Sequence, residues 1–446
     1  MAVSAGATSD LWQRPAELLQ HLIRFDTTNP PGNERECIAF IEGLLREAGI
    51  ESRLFARDPE RPNLIARLPG RGAAPPLLLY GHVDVVSAAG QAWTHDPFAA
   101  ELRDGYIWGR GAIDMKSGVA MMLSAFLRVK AEGAEPPGDV LFCALADEEA
   151  LGTYGAEWLV RDHPEQFAGV RYAIGEFGGF TTHQAGRRFY PIQVAEKQVC
   201  TVKATVRGAG GHGSMPMRGA ATARLAELLE TLDRRGLPVH VTPVTRDMLT
   251  AMASHLPTAQ SLVIRQLLRP GLAGLVLRRL GPRARMLNAV LRNTATPTIV
   301  ETPKKFNVIP SEIEVTLDGR ILPGFGPDDL LRELHALIGD DIELEVLRYD
   351  PSPAEPDLGL FDALRDILER ADPGSVAIPL LMAGVTDGRY FGRLGIQTYG
   401  FTPLRLPAGF DFWSGVHGSD ERVPVDAIAF GADAIRTALD RFGEAA

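Results

Sequence analysis

The feature that most constrains the fold is the regular alternation of short apolar segments with amphipathic segments early in the chain. Asn63–Leu68 and Leu77–Val86 are apolar and bounded by proline and glycine, which is typical of buried strands, and Val140–Ala146 is similar. Glu34–Ala48 and Gly118–Val129 have apolar residues at helical spacing. Strands that alternate with helices of this length predict an α/β fold with a mixed, largely parallel sheet covered by helices.

A different order of elements begins near residue 197. The predicted elements are, in order, strand Val199–Val206, helix Ala220–Leu232, strands Pro297–Thr302 and Glu312–Arg320, helix Asp328–Ile338 and strand Ile342–Tyr349. This is the ferredoxin-like order, interrupted after its first helix by a mainly helical insert at about 245–296. We therefore predict that residues 1–195 and 352–446 form one domain, and that an α+β domain, residues 196–351, is inserted in it.

The composition excludes several classes of protein. The 446 residues include 46 Lys+Arg and 56 Asp+Glu, and this acidic balance argues against a nucleic-acid partner, whose phosphates need a basic surface. Cys37, Cys143 and Cys200 lie too far apart for a disulfide scaffold or a cysteine-based zinc site. Neither an apolar signal core nor an uncharged apolar run of about 18 residues is visible. We therefore expect a cytoplasmic location.

His82 and Asp84 stand at the end of the predicted strand Leu77–Val86. Side chains alternate along a strand, so these two project to the same side. A histidine that binds a metal usually donates its other ring N–H to a carboxylate, and Asp84 is placed to accept it. A hydrogen-bonded pair without a metal is the alternative interpretation of this motif alone.

Acidic residues follow two further predicted strands. Asp147, Glu148 and Glu149 follow one that begins at Leu141, and Glu176 follows another. Adjacent carboxylates at the end of a buried strand repel one another, which raises one pKa unless cations or solvent are present. These acids are therefore candidates for a metal site.

Two further candidates come from glycine-rich segments. Asp114 stands just ahead of a predicted helix and, taken alone, is more often an N-cap than a metal ligand. His417 lies in a late glycine-rich turn. In open α/β sheets, sites form beyond the carboxyl ends of the strands, so we expect these residues to meet His82, Glu149 and Glu176 there. Two histidines and three carboxylates suit two zinc ions, with cobalt or manganese as the other candidates.

Five motifs occur in the order found in the M20 metallopeptidase family, which the chain resembles from about Leu18 to Phe442. They are Gly-His-Val-Asp, Gly-Arg-Gly-Ala-Ile-Asp-Met-Lys, Asp-Glu-Glu, Gly-Glu and His-Gly. That family includes carboxypeptidases, aminoacylases, and acetylornithine and succinyl-diaminopimelate deacylases. The resemblance implies a zinc-exopeptidase-like fold with a ferredoxin-like lid. It also implies a dinuclear-metal hydrolase that cleaves the amide bond of N-acyl amino acids or small peptides with a free C-terminal carboxylate.

The resemblance also implies the ligands of each metal ion. His82 and Glu176 would bind one ion, and Glu149 and His417 would bind the other. Asp114 would bridge them, and the family often has a cis peptide bond just after this aspartate.

Catalytic roles follow from the same resemblance. Asp84 would orient His82, and Glu148 would be the general base that takes a proton from a metal-bridging water and delivers it to the leaving nitrogen. His212 resembles the family's lid histidine, which polarises the substrate carbonyl and often comes from the partner subunit of a homodimer. A surface histidine in a glycine turn is the alternative interpretation of His212.

Four residues match segments that bind substrate in the family. Asn307 is expected near the carbonyl oxygen, and Arg320 is expected to hold the substrate carboxylate as a bidentate fork. Thr386 and Arg389 lie in a segment that resembles the glycine-rich loop around the same carboxylate. A structural ion pair with Asp387 would explain Arg389 equally well.

The predicted helical insert has an unusual composition. Arg246–Arg292 contains eight arginines, no lysine and one acidic residue, Asp247, among many apolar residues. Together with the Ser-Gly-Val-His-Gly stretch around His417, it resembles the carboxypeptidase S branch, which includes hydrolases of N-fatty-acyl amino acids. One hypothesis is that the insert lines an acyl or side-chain pocket or contacts a membrane surface through its arginines. Helices with a solvated basic face are the alternative.

Other functions also fit the pattern. A biosynthetic N-deacylase of the acetylornithine or succinyl-diaminopimelate type is one alternative, and a catalytically inactive metal- or peptide-binding relative is another. Glu148 and the complete ligand set argue against an inactive relative. A scaffold with a merely solvated acidic cluster would bind no metal.

Overall fold

The computed structural model describes residues 10–302, 305–353 and 355–445. Contacts group the chain into two compact units. The first takes in the chain up to Val194, Asp357–Leu380 and the chain from Thr386 onward. The second takes in Ala195–Pro356 and Leu381–Val385.

The helices and strands follow one another along the chain in three stretches. The first stretch contains α1 Pro15–Ile23, α2 Arg35–Glu47, β1 Ser52–Phe55, β2 Asn63–Leu68, β3 Leu77–His82, β4 Glu101–Arg103, β5 Tyr106–Trp108, α3 Lys116–Ala131, β6 Val140–Leu145, α4 Ala156–Asp162, β7 Tyr172–Gly175, β8 Thr182–Gln184 and β9 Arg187–Glu196. The second contains β10 Gln198–Arg207, β11 Gly211–His212, α5 Ala221–Arg234, α6 Pro243–His255, α7 Thr258–Leu267, α8 Pro270–Leu280, α9 Arg285–Val290, β12 Thr294–Glu301, β13 Val308–Ile309, β14 Glu312–Ile321, α10 Pro327–Ile338 and β15 Glu343–Asp350. The third contains α11 Phe361–Ala371, β16 Val376–Met382, α12 Gly388–Gly392, β17 Gln397–Gly400, α13 Phe412–Gly415, β18 Arg422–Pro424 and α14 Val425–Arg441.

A nine-stranded mixed sheet has the order β1-β2-β6-β3-β7-β17-β9-β16, with β8 paired to β9. Its central strands β6, β3, β7 and β17 are parallel, whereas β2 and β9 join them antiparallel. Every residue of β3 and β6 is buried, as expected for apolar strands covered on both faces. The predicted mixed, largely parallel sheet is confirmed.

Helices cover both faces of this sheet. On one face α3, which is buried along most of its length, packs against β3, α1 and α14. On the other face a core cluster joins Leu78 and Leu141 of the strands to Leu159 of α4 and Phe391 of α12. Because both faces are covered, the ends of the strands are where polar side chains can gather.

The second unit contains a four-stranded antiparallel sheet with the order β12-β14-β10-β15, packed on α5 and α10. Burial alternates along β14, so one face of the sheet is covered by helices. Its core cluster includes Val202, Leu228, Leu317 and Leu334. The predicted ferredoxin-like order is therefore confirmed.

The helical insert ends earlier than predicted. Its helices are α6 to α9, and β12 begins at Thr294, inside the range 245–296 that the sequence favoured. Thr294 pairs with Arg320 of β14, and the register shifts between Pro297 and Ile299. Proline lacks the backbone N–H of a regular ladder, and this irregularity lets the strand continue on both sides of Pro297.

Two other element boundaries differ from the prediction. The strand predicted as Leu77–Val86 ends at His82. The segment Leu11–Asp26, whose helical spacing predicts one helix, forms a short 3₁₀ turn, Leu11–Gln13, followed by α1 with Pro15 in its first turn. Among the described residues, no helix is both long and apolar enough to cross a lipid bilayer.

Candidate dinuclear metal centre

Three neighbouring parallel strands bring the predicted ligands to one edge of the sheet. β3 lies between β6 and β7, so the carboxyl ends of all three strands meet at this edge. β3 ends at His82, β6 ends shortly before Glu148 and Glu149, and β7 ends just before Glu176. The acids that looked isolated in the sequence are therefore neighbours of His82.

His82 lies at the centre of the first candidate ligand group. Its Nε2 is 3.1 Å from Asp114 Oδ1 and 3.1 Å from Glu176 Oε2. Its Nδ1 is 3.0 Å from the backbone oxygen of Asp84 and 3.4 Å from Asp84 Oδ1. If Nδ1 donates to Asp84, the neutral ring turns the lone pair of Nε2 toward two carboxylates, an arrangement that calls for a cation or a proton.

His417 forms the second candidate ligand group. Its Nε2 is 3.2 Å from Asp114 Oδ2 and 3.2 Å from Glu149 Oε2. Asp114 thus offers one carboxylate oxygen to each histidine, and the five predicted ligands form two groups that share it. The peptide bond from Asp114 to Met115 is cis, as the resemblance implied.

The electrostatics of the centre fit divalent cations. Burial raises the pKa of Glu149 to about 7, and its buried Oε1 has no hydrogen-bond partner among the described residues. Burial also raises the pKa of Glu148 well above its ordinary value, and that of Glu176 as well. Hydrogen bonds to Asp114 and Glu149 raise the pKa of His417 to about 10. Without metal the centre retains protons, which cations bound to these nitrogen and oxygen atoms would displace.

Asp84 connects His82 to the acidic turn after β6. Besides facing His82, its Oδ1 accepts the backbone N–H of Glu148 at 3.1 Å and its Oδ2 accepts that of Glu149 at 3.1 Å. The Glu148 side chain is mostly buried, and its Oε1 lies 3.9 Å from Arg389 NH1. Asp84 therefore positions both the imidazole and the backbone that carries Glu148.

Glu421 holds the Asp114 loop and was missed in the sequence. This buried carboxylate accepts the backbone N–H groups of Gly111, Ile113 and Asp114, at 3.0, 2.6 and 3.0 Å. It also pairs with Arg110 at 2.7 Å. Its place four residues after His417 was visible in the sequence, but a buried acid and a surface acid look the same in an Asp-Glu-Arg stretch.

Arg110 links the two loops that carry Asp114 and His417. Its NH2 donates to Gln91 Oε1 at 2.8 Å, and Gln91 Nε2 donates to the backbone oxygen of His417 at 2.8 Å. The guanidinium also lies 5.1 Å from the ring centre of Trp93. This network around the buried Arg110 ties together segments that are about 300 residues apart in sequence.

Thr386 and Arg389 are both buried in the first unit. Arg389 NH1 donates to the backbone oxygen of Thr386 at 2.7 Å, and its NH2 donates to the hydroxyl of Tyr390 at 2.9 Å. Asp387 is also buried, neither of its oxygens has a hydrogen-bond partner among the described residues, and burial raises its pKa to about 8. The guanidinium of Arg389 thus faces the protein interior beside Glu148.

In the second unit, His212 and Asn307 are neighbours. The short strands β11 and β13 pair, and the backbone N–H of Gly213 donates to the oxygen of Asn307 at 2.8 Å. The backbone N–H of Ser214 points to His212 Nδ1 at 3.3 Å, so a neutral ring carries its proton on Nε2. Both predicted side chains are exposed.

Arg320 lies on β14 of the same unit and pairs with Asp318. Its Nε is 2.7 Å from Oδ1 and its NH2 is 3.1 Å from Oδ2 of that aspartate. The Arg320 guanidinium is therefore already in bidentate contact with a carboxylate, that of the Asp318 side chain.

Comparisons with known proteins agree on a family. The model of "Peptidase family M20/M25/M40" matches residues 78–441. The chain is 30% identical over 368 residues to the human "N-fatty-acyl-amino acid synthase/hydrolase PM20D1", covering 79% of this chain and 71% of that protein. It is 27% identical over 377 residues to "Probable carboxypeptidase S-like 2" of Dictyostelium discoideum, covering 78% and 68%. A "Succinyl-diaminopimelate desuccinylase" of Methylobacterium radiotolerans is 37% identical over 231 residues, covering 49% and 56%.

A solved structure supports the same fold. The M20 family metallo-carboxypeptidase Sso-CP2 from Sulfolobus solfataricus superimposes with a TM-score of 0.69 at 17% identity, covering 96% of this chain and 99% of that one.

Proposed function

Because the chain belongs to peptidase family M20/M25/M40, we propose that it is a dinuclear-metal hydrolase that cleaves the amide bond of N-acyl amino acids or small peptides with a free C-terminal carboxylate. The observation that carries the proposal is the position of Asp114, whose two oxygens lie 3.1 Å from His82 Nε2 and 3.2 Å from His417 Nε2. The resemblance to the M20 family and its carboxypeptidase S branch is confirmed. The name of the human relative supports N-acyl amino acids as the substrate class.

The donor set supports two divalent cations. We assign His82 and Glu176 to one ion, Glu149 and His417 to the other, and Asp114 to both. Imidazole nitrogens and carboxylate oxygens suit zinc, with cobalt or manganese as the other candidates. When bound, such ions polarise a carbonyl and lower the pKa of water.

Glu148 is the proposed general base. One of its carboxylate oxygens takes a proton from the attacking water while the new C–O bond forms, and then gives that proton to the nitrogen as the C–N bond breaks. The second proton of the water also passes to the amine, so the products are a carboxylate and an ammonium group. Its backbone hydrogen bond to Asp84 and the guanidinium of Arg389 at 3.9 Å support this role, because they restrict where the carboxylate can lie.

The second unit supplies three of the residues proposed to contact the substrate, and the first unit supplies Thr386 and Arg389. His212 donates from Nε2 to the substrate carbonyl, and Asn307 lies near the same oxygen. Arg320 binds the substrate carboxylate, exchanging the contact that it now makes with Asp318. Thr386 and Arg389 are proposed to shape the loop on the carboxylate side of the site.

A homodimer through the second unit is also proposed, with His212 acting in the site of the partner. β12 is an edge strand of the four-stranded sheet, and its Ile299 and Val300 are exposed. An exposed edge with apolar side chains is suited to pairing with a second copy.

The helical insert supports a long acyl group in the substrate. Leu262 and Val263 of α7 and Leu272 and Leu275 of α8 are exposed. Together with the arginines of Arg246–Arg292, these side chains suit an apolar chain attached to an acid, and contact with a membrane surface is the second hypothesis.

A substrate panel tests the function. The zinc-reconstituted protein should hydrolyse N-dodecanoyl amino acids with a higher kcat/KM than N-acetyl derivatives of the same amino acid, and dipeptides should be assayed in parallel. Exhaustive chelation should abolish turnover and zinc should restore it. Equal or better activity on the acetyl substrates would remove the acyl-pocket hypothesis, and turnover that survives chelation would refute the metal mechanism.

The second candidate is a biosynthetic N-deacylase. The desuccinylase of M. radiotolerans is more identical to this chain than the human relative, but over only half of it. N-succinyl-diaminopimelate and N-acetylornithine therefore belong in the panel, and a clear preference for either would favour this candidate. We keep a cytoplasmic location as part of the proposal, which three buried, unbridged cysteines support.

A further inference from the structure

The loop between α1 and α2 reaches the polar groups beneath the candidate metal centre, although the proposed mechanism uses none of its side chains. Asn29 in this loop is 5% exposed. Its backbone is held beside the chain that follows β3, since Asn29 N donates to the oxygen of Val85 at 2.8 Å and Val85 N donates to the oxygen of Thr27 at 3.1 Å. These backbone hydrogen bonds therefore restrict where the Asn29 side chain can lie.

The Asn29 amide lies between two buried carboxylates. Its Nδ2 donates to Asp84 Oδ2 at 2.8 Å and to Asp147 Oδ1 at 3.0 Å. Both aspartates are almost fully buried. An amide nitrogen has two protons, so this single group donates to both carboxylates and helps to hold them together despite their like charge.

Asp84 connects Asn29 to the residues of the candidate metal centre. It also accepts the backbone N–H groups of Glu148 and Glu149 at 3.1 Å each, and it faces the Nδ1 of His82. Displacement of Asp84 would therefore move a metal-binding imidazole and the turn that carries Glu148 and Glu149 together.

Arg61 also anchors Asp147, at the same oxygen that accepts from Asn29. Arg61 NH1 lies 2.8 Å from Asp147 Oδ1, and the same guanidinium pairs with Glu34 at 2.7 Å. Gly32 has a φ of +86°, and a Cβ there would lie 2.2 Å from Arg61 Nε, so this glycine leaves room for the arginine. The loop thus supplies Asn29, Gly32 and Glu34 to one buried network.

We propose that Asn29 is a positioning residue for the metal centre: its amide holds Asp84 in the place from which Asp84 orients His82 and the Glu148–Glu149 turn. The inference rests on the proposed metal centre and extends it to a side chain that touches neither metal nor substrate. Residues that orient metal ligands typically change metal affinity by about 10- to 100-fold when they are replaced.

The test is metal affinity rather than turnover. Asn29→Asp replaces the donor with an acceptor of the same shape, and Asn29→Ala removes the donor without adding charge. Both variants should bind Zn²⁺ about 10- to 100-fold more weakly than the unmodified protein in a competition titration with a buffered chelator. Both should also show a smaller rise in Tm on addition of Zn²⁺ than the unmodified full chain does.

Asn293→Asp is the matched control. Asn293 is also fully buried, its Nδ2 donates to Glu333 Oε2 at 3.1 Å, and its Oδ1 accepts the N–H of Leu322 at 2.9 Å, all within the second unit. This variant should lower the Tm of the metal-free protein and leave the Zn²⁺ affinity unchanged.

The outcomes separate the inference from the proposed function. Unchanged Zn²⁺ affinity in Asn29→Ala would overturn the positioning role, as would an equal loss in Asn293→Asp. An unmodified protein that binds no divalent cation would overturn the metal centre itself. Tight Zn²⁺ binding with no cleavage of any substrate in the panel would overturn the proposed activity and leave the role of Asn29 standing.

Discussion

At the scale of single residues, the candidate centre depends on which atoms of each side chain face one another. Asp114 presents Oδ1 to His82 and Oδ2 to His417, so one carboxylate belongs to both ligand groups. Glu421 accepts the backbone N–H of Asp114 and so holds the loop in place independently of the contacts between the Asp114 side chain and the two imidazoles. A shared carboxylate held in this way can place two cations close together without large rearrangement.

Glu148→Gln tests the general base. The substitution keeps the shape of the side chain and removes its ability to take a proton, so we expect kcat to fall by about 10²- to 10⁴-fold. Zinc content and Tm should stay close to those of the unmodified protein, because Glu148 is not an assigned ligand. Glu36→Gln, the same change on the exposed side of α2, should leave kcat unchanged. A Glu148→Gln protein with normal kcat would assign the proton transfer to another group.

Arg320 and Arg389 show how the surroundings of a single residue determine its contacts. The resemblance to the family implies that Arg320 binds the substrate carboxylate and that Arg389 lies in the loop around it, and these roles stay predictions. The structure places Arg389 in the interior, 3.9 Å from Glu148, and pairs Arg320 with Asp318. Charge and residue type are the same in both cases, and only the surroundings distinguish a buried arginine from one that can exchange its partner.

At the scale of elements, the site is a consequence of parallel strand order. β6, β3 and β7 are neighbours and parallel, so the polar residues that follow each strand gather at one edge. Most of the elements that apolar runs and helical periodicities predicted lie within a few residues of the observed ones. The small sheet of β4, β5 and β18 and the two-stranded sheet of β11 and β13 were not predicted, because short strands have too few residues to show a period.

Lys197 provides a test at this scale, where the chain enters β10. Its Nζ donates to the backbone oxygen of Ala289 in the last turn of α9, and to the backbone oxygen of Arg292 and Thr294 Oγ1 just beyond this helix. Burial, together with the charge of Arg320, lowers the pKa of Lys197 from 10.5 to about 7. Between these two values the unfolded chain binds more protons than the folded one, so the free energy of unfolding gains a contribution that rises with pH.

Lys197→Met removes that contribution. The unfolding free energy of the unmodified protein minus that of Lys197→Met should therefore increase from pH 7 to pH 10, as measured by urea unfolding. Lys203→Met is the control: the Lys203 ammonium pairs with Glu345, which raises its pKa, so the corresponding difference should stay flat below pH 10. A flat or falling difference for Lys197→Met would mean that Lys197 keeps its charge when buried.

At the scale of the whole molecule, two compact units share one chain. The core of the second unit, which includes Val202, Leu228, Leu317 and Leu334, is drawn entirely from residues within 196–351. In the first unit, β17 pairs with β7, and α14 packs against α3. Elements near the end of the chain therefore complete the sheet and the helix layer that elements near its beginning form. This arrangement explains how one domain can be inserted in another without breaking either core.

Residues 196–351 expressed alone test the domain boundaries, which stay a prediction. This segment should show a cooperative urea transition and dispersed amide resonances, because its core needs no residue from outside. Residues 1–195 alone should not, because they lack β17 and α14. If 196–351 unfolds without cooperativity, the second unit is not an independent domain.

The sequence by itself determined the fold class, the family and the kinds of atoms that the site offers. Hydrophobic periodicity reflects which faces of each element are buried, and the motifs at the strand ends indicate which side chains are available to bind a metal. These features are local, since each depends on a few consecutive residues.

Only the tertiary structure decided which of these groups meet and what holds them. Asp114 meets His417 across about 300 residues of chain, Glu421 binds the Asp114 loop, and Asn29 lies between Asp84 and Asp147. None of these contacts leaves a local pattern, because they depend on strand order and on burial at positions distant in sequence. The same long-range packing also separates a buried carboxylate or amide from an identical one on the surface, and that difference in solvation is what converts an ordinary asparagine or glutamate into part of the site.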